Sequence, residues 1–142
     1  MNVTCQMSDI CLFCKIIKKD IPSEVIYEDA LAFSFLDTHP CSPGHALILP
    51  KSHAATILEV PEKDLGGLFM AVRRVTEKLE RALAPSGFTI GINHGILAGQ
   101  AVDHLHIHVI PRYTGDGGGS LHSVVHFVGK ESVAEMAKKL KA

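Results

Sequence analysis

The sequence predicts an α+β fold built on an antiparallel sheet, and three observations carry that prediction. Short apolar stretches of period two come in runs, one long segment repeats its apolar residues every three or four positions, and Gly- and Pro-rich breakers separate them. "CLFCKIIKK" reads as a short helix stopped near "DIP", because Pro22 disfavours helix in the residue before it. "VIYED", "LAFSFL" (31 to 36) and "HALILP" (45 to 50) are apolar and rich in β-branched or aromatic residues, and the breakers between them predict a three-strand meander.

Pro61 opens the long segment, in which Leu65, Leu68, Phe69, Val72, Val75, Leu79, Ala82 and Leu83 share one face of a helix of about five turns. Arg73, Arg74, Glu77, Lys78, Glu80 and Arg81 mark its solvated face. Period two returns in "FTIGIN" (88 to 93) and again in "DHLHIHVIPR" (103 to 112). "TGDGGGS" (114 to 120) reads as a flexible loop, "SVVHFV" as a further strand, and "ESVAEMAKKL" as a short C-terminal helix.

The chain has 142 residues, enough for one domain that buries roughly two-thirds of its unfolded surface. That domain is expected over residues 10 to 142, after a disordered extension over 1 to 9 that contains Cys5. A formal net charge of -1 with 20% charged residues gives no polycationic face, so nucleic acid and membrane surfaces are not expected partners. No signal peptide or spanning segment is recognisable, and the expectation is a soluble cytoplasmic protein. In that compartment Cys5, Cys11, Cys14 and Cys41 point to thiol or metal chemistry rather than disulfides.

His104, His106 and His108 are spaced two apart and separated by aliphatic residues. On a strand they share one face, with Leu105, Ile107 and Val109 on the other. The outer two Cα atoms then stand roughly 13 Å apart, too far for all three rings to meet one atom, while adjacent rings can share a phosphate. One ring can attack phosphorus while the next donates a proton.

"HLHIHVI", together with "CLFCKIIKKDIPSEVIYEDALAFSFLD", "PGHALILPKSH", "GINHG" and "AGQAV" in that order, resembles the histidine triad (HIT) family of nucleotide hydrolases and transferases over residues 11 to 113. The resemblance is strongest to the histidine triad nucleotide-binding branch, including bacterial members that begin with Cys-x-x-Cys. It implies two joined five-stranded sheets in a homodimer, and purine nucleotide substrates such as AMP conjugates, either nucleoside phosphoramidates or mixed adenylates. His106 is then the nucleophile that forms a nucleotidyl-histidine, His108 the phosphate ligand and proton donor, and His45 the group that fixes a tautomer in the histidine network. Asp37 would hold the ribose with Thr38 beside it, and Asn93 and the loop Gly99, Gln100, Ala101 would surround the phosphate.

Where many relatives carry Ser or Thr after "GQ", this chain has Ala101 and loses a side-chain donor near the leaving group. Cys11-x-x-Cys14 alone fits either a dithiol or a zinc site. The resemblance supplies His53 and His104 as the remaining ligands of a structural zinc. Three other readings stay open: a dinucleoside polyphosphate hydrolase, a metallohydrolase with catalytic zinc, and a zinc-stabilised nucleotide-binding module.

Overall fold

The computed structural model of the chain describes residues 10–142, so the expectation about residues 1 to 9 and Cys5 lies outside the described residues. Five strands, β1 (Val25–Glu28), β2 (Ala32–Leu36), β3 (Ala46–Pro50), β4 (Gly87–Gly91) and β5 (Ile107–Arg112), form one antiparallel sheet in the order β1-β2-β3-β5-β4. Three helices accompany it: α1 (Leu12–Ile17), the long α2 (Glu62–Leu83) and α3 (Val133–Leu140).

Alternation along the strands sorts the sheet into two faces. Ala32, Ala46, Ile48, Leu105, Ile107 and Val109 pack against Leu68, Ala71, Val72, Val75 and Leu79 of α2. Each fully buried Leu, Ile or Val side chain there is worth about 1.5–3 kcal/mol. Phe33, Phe35, Leu47 and Leu49 take the opposite face, against Phe13 and Ile16 of α1 and the two cysteines before and within it. Because the aliphatic residues between the three histidines go to α2, the histidines themselves are turned toward α1.

The elements follow the sequence pattern with instructive departures. Helix α1 ends ahead of Pro22: Lys18 is its C-cap and Lys19 takes a left-handed φ of 67°, so the chain has already turned. Helix α2 runs 22 residues, about six turns, and its buried stripe includes Ala71 while Phe69 and Leu83 stay 45% and 41% exposed. The stripe facing the sheet is thus narrower than the apolar pattern. Two cations of the solvated face reach back to the first strand: Arg74 donates to the Tyr27 hydroxyl at 3.0 Å and Lys78 Nζ to the Ile26 carbonyl at 2.6 Å.

"SVVHFV" forms no strand. Residues 121–123 make a single 3-10 turn, and Val124, Val125, Phe127 and Val128 are 70–98% exposed. An apolar run becomes a strand only where a neighbour supplies backbone partners, and among the described residues none does. The Gly-rich loop before it is clamped rather than loose. Arg112 donates from Nε and Nη2 to Asp116 and from Nη1 to the Gly119 carbonyl and the Thr89 hydroxyl. The guanidinium holds the Asp116 carboxyl well below the usual carboxylate range, helped by the Gly118 and Tyr113 amides. Helix α3 carries the full capping box of Ser132 and Glu135.

Candidate active site and metal centre

The histidine stretch is only half a strand. The ladder of β5 begins at Ile107, and the backbone before it is irregular, with Leu105 N–H donating to the Ala54 carbonyl and His104 N–H to the Val102 carbonyl. His104 and His106 therefore leave the regular register while keeping the α1-facing side.

Each ring is fixed by what one of its nitrogens meets. A backbone carbonyl can only accept, so the nitrogen beside it must carry the proton. His104 Nε2 donates to the Pro50 carbonyl at 2.8 Å, which leaves the lone pair on Nδ1. His106 Nδ1 donates to the His104 carbonyl at 2.7 Å, which leaves the lone pair on Nε2. His45 Nδ1 accepts the Cys41 N–H at 3.0 Å, so its Nε2 carries the proton and donates to His108 Nδ1 at 2.9 Å. His108 Nε2 then carries a proton, and that atom is buried without a partner among the described residues. Burial pushes His108 down to about 4, with the neighbouring His106 and His45 acting the same way against the attraction of Asp37, and it also lowers His45. Both rings are neutral at pH 7.

His106 and His108 face a cavity of about 530 Å³. His106 and His108, their ring centroids 5.0 Å apart, form its polar wall with Asp37, Thr38, Asn93, Gly99 and Ala101. Phe13, Ile16, Ile21, Phe35 and Leu47 form an apolar slot beside them, and Phe13 meets the His106 ring edge-on at 5.0 Å. These slot residues were missed in the sequence because they read as core. His39, which lines the same cavity, donates its N–H to Asp37 Oδ1 at 2.8 Å and so orients the carboxylate.

The residues expected at the site divide into two groups. Asp37, Thr38, Asn93, Gly99, Ala101, His106 and His108 line the cavity. His45 stands behind His108 at 3% exposure, its Nε2 3.6 Å from Asp37 Oδ2. Gln100 is turned away: its carbonyl accepts from Gly95 N–H, and its amide donates to the Ala55 and Val102 carbonyls. It braces the loop. Gly99 needs its hydrogen side chain because φ is 97°, and its N–H, like that of Gln100, is spent within the loop. Ala101 N–H has no such bond among the described residues.

Cys11, Cys14, His53 and His104 form a second cluster whose ligand atoms all lie within 4.8 Å of one another. Cys11 is the N-cap of α1 and Cys14 stands in its first turn, so the helix presents both thiols to one point. Cys14 Sγ lies 3.4 Å from His53 Nδ1 and 3.5 Å from His104 Nδ1, and Cys11 Sγ lies 3.6 Å from His104 Nδ1. Ligands tetrahedral about zinc at its usual bond lengths stand about 3.3–3.8 Å apart, so the donor set fits that ion in both chemistry and span. The pair His45 Nε2 and His108 Nδ1, 2.9 Å apart beside Asp37, is closer than two nitrogen ligands of a tetrahedral zinc and has the length of a hydrogen bond.

One face of the antiparallel sheet thus carries a network of imidazoles and one carboxylate along the wall of a single cavity. The chain belongs to the HIT family: the HIT domain profile matches residues 18–115. It is 44% identical over 108 residues to an uncharacterised HIT-like protein of Methanocaldococcus jannaschii, covering 76% of this chain and 83% of that one. An adenosine 5'-monophosphoramidase of Schizosaccharomyces pombe is 42% identical over 102 residues, with 72% and 74% covered. An Arabidopsis thaliana adenylylsulfatase is 39% identical over 102 residues, 72% of this chain and 52% of the relative.

Among solved structures, a histidine triad nucleotide-binding protein from Candida albicans superimposes with a TM-score of 0.76 at 34% identity, covering 92% of this chain and 94% of that one. A zinc-bound histidine triad protein from Mycobacterium smegmatis gives 0.72 at 36% identity, with 78% and 80% covered.

Proposed function

We propose that the chain is a nucleotide hydrolase or transferase that cleaves AMP conjugates, nucleoside phosphoramidates foremost, through a covalent nucleotide on His106. One observation carries the reading: the His104 carbonyl accepts from the Nδ1–H of His106, which leaves a nucleophilic lone pair on Nε2 at the cavity wall. The relatives named for AMP phosphoramidate and adenylyl sulfate cleavage support the substrate class.

In this reading the purine lies in the apolar slot, and the ribose hydroxyls donate to Asp37. Ala101 N–H and Asn93 meet the phosphate. His106 Nε2 attacks the α-phosphorus, forming a P–N bond as the bond to the leaving group breaks. The anionic phosphate beside His108 favours its charged form, in which proton uptake at Nδ1 ends the bond from His45 Nε2, and His108 Nε2 then protonates the leaving atom. The positive charge of the adduct is met by the His104 carbonyl. Water then attacks phosphorus, returns a proton to His108 and frees His106.

Zinc held by Cys11, Cys14, His53 and His104 would be structural, a closed four-ligand site that pins α1 against the catalytic stretch. The chain acts as a cytoplasmic homodimer in this proposal. Strand β4 lies at the sheet edge with its outer backbone groups open, which suits joining two sheets across it. A solution mass showing only monomer at micromolar concentration would count against the dimer.

The test uses adenosine 5'-phosphoramidate radiolabelled in the nucleotide. After an alkaline quench, label that stays on the protein and is lost in acid supports the adduct, because P–N bonds survive base. Turnover that leaves no label and stops on chelation points to a metallohydrolase, and binding without turnover points to a binding module.

A further inference from the structure

A second cavity, of about 380 Å³, adjoins the catalytic one. The two share Leu12, Ala101 and Val102 in their walls. Ala101 belongs to the loop assigned to the phosphate, and its side chain is a single methyl. A hydroxyl-bearing residue would reach into this junction; alanine leaves it open. On the far side of the junction stand His53 and Asp103.

His53 turns Nδ1 toward Cys14. The carboxylate of Asp103 has no hydrogen bond or ion pair among the described residues, and no lysine or arginine lines the cavity. The cavity is therefore acidic at its polar end. A zinc ion balanced by two thiolates would leave that unchanged. In the catalytic cavity the base and ribose fill the end formed by the apolar slot and Asp37. On the remaining wall Ala101, flanked by Leu12 and Val102, is the phosphate-loop residue that also lines the second cavity.

We propose that this second cavity receives the leaving group, and that Asp103 selects leaving amines whose chain ends in a cationic ammonium. The assignment rests on the phosphoramidase reading above. The leaving chain crosses at Ala101, its apolar part lies along Leu12 and Val102, and its ammonium meets the Asp103 carboxylate. Asp103 is exposed, so the attraction is moderate and screened by salt.

The experiment compares three adenosine phosphoramidates with alkyl chains of equal length ending in an ammonium, a hydroxyl or a carboxylate. The readout is the ratio of kcat/KM between substrates, which is internal to each protein and independent of the folded fraction. The cationic chain should be preferred about threefold over the neutral one and about tenfold over the anionic one at low salt, shrinking toward equality at high salt. Asp103→Asn should bring the three within twofold, and Asp103→Lys should reverse the order.

Calorimetric binding of non-hydrolysable sulfamate analogues with the same three chains gives a readout independent of turnover. A charge preference in binding without turnover would uphold the subsite and defeat the hydrolytic reading. Turnover with equal ratios in the wild-type protein, or a preference that survives Asp103→Lys, would overturn the subsite.

Discussion

The two ends of the histidine stretch, His104 and His108, are the same residue type four positions apart, yet they meet different surroundings. At one end His104 is wholly buried, with a carbonyl on Nε2 and two thiols 3.5 and 3.6 Å from Nδ1. At the other, His108 is partly exposed, with an imidazole on Nδ1 and no partner on Nε2 among the described residues. The first arrangement offers a lone pair to a soft metal site; the second offers a proton to an anion. Between them His106 is linked to both, by its bond to the His104 carbonyl and by the neighbouring His108 ring. An imidazole's role is thus set by the partner of its other nitrogen.

The largest effect is expected at His106, which both ends share. His106→Ala should lower turnover by more than about a thousandfold while AMP binding changes little, since the nucleophile acts in the transition state and the ribose and base contacts remain. Turnover within tenfold of wild type would remove His106 from the nucleophile's place.

At the thiol end, Cys14→Ser should lose metal and several kcal/mol of stability together, read by metal analysis and thermal unfolding. Full metal occupancy in a protein lacking both Cys11 and Cys14 thiols would contradict the ligand assignment.

At the phosphate end, acid should cost stability through the neutral imidazoles. His108 is pushed to about 4 from 6.5, so below pH 6.5 the unfolded chain takes up a proton that the folded one refuses. Stability conferred by this group is therefore complete above pH 6.5 and falls as pH drops toward 4, by up to about 3 kcal/mol. Comparing denaturant midpoints of wild type and His108→Asn across that window isolates the contribution, because metal loss in acid is common to both. A pH dependence unchanged by the substitution would contradict it.

The smallest expected effect concerns Ala101. A serine hydroxyl there could donate to the leaving atom, and Ala101→Ser should raise turnover of the unsubstituted phosphoramidate, whose ammonia does not have to cross the junction, roughly threefold to thirtyfold. That small amine, which needs protonation, should gain most, and a phosphate leaving group little. Equal effects on both, or none on either, would place position 101 outside the reacting geometry.

Much of this was legible in the chain because burial repeats at the period of the element. Leu105, Ile107 and Val109 announced a buried face, and their alternation put the three histidines on the other. The ligand set of the metal cluster followed from the family resemblance, and the structure brings those four residues together. What stayed hidden depends on partners distant in sequence: the Cys41 amide that fixes His45, the loop carbonyls that occupy Gln100, and the slot formed by Phe13, Ile16, Phe35 and Leu47. Those four look like core because they are core along one edge and cavity wall along the other. "SVVHFV" misled for the converse reason, since apolar composition does not by itself provide a neighbouring strand.

Nitrogen-resolved NMR of the histidine rings in the zinc-loaded protein at pH 7 reads their tautomers. The expected result is a proton on Nδ1 of His106 and on Nε2 of His45, His104 and His108, with His104 Nδ1 bound to metal. A proton on Nε2 of His106, or a protonated Nδ1 on His104, would contradict the division of roles along the stretch.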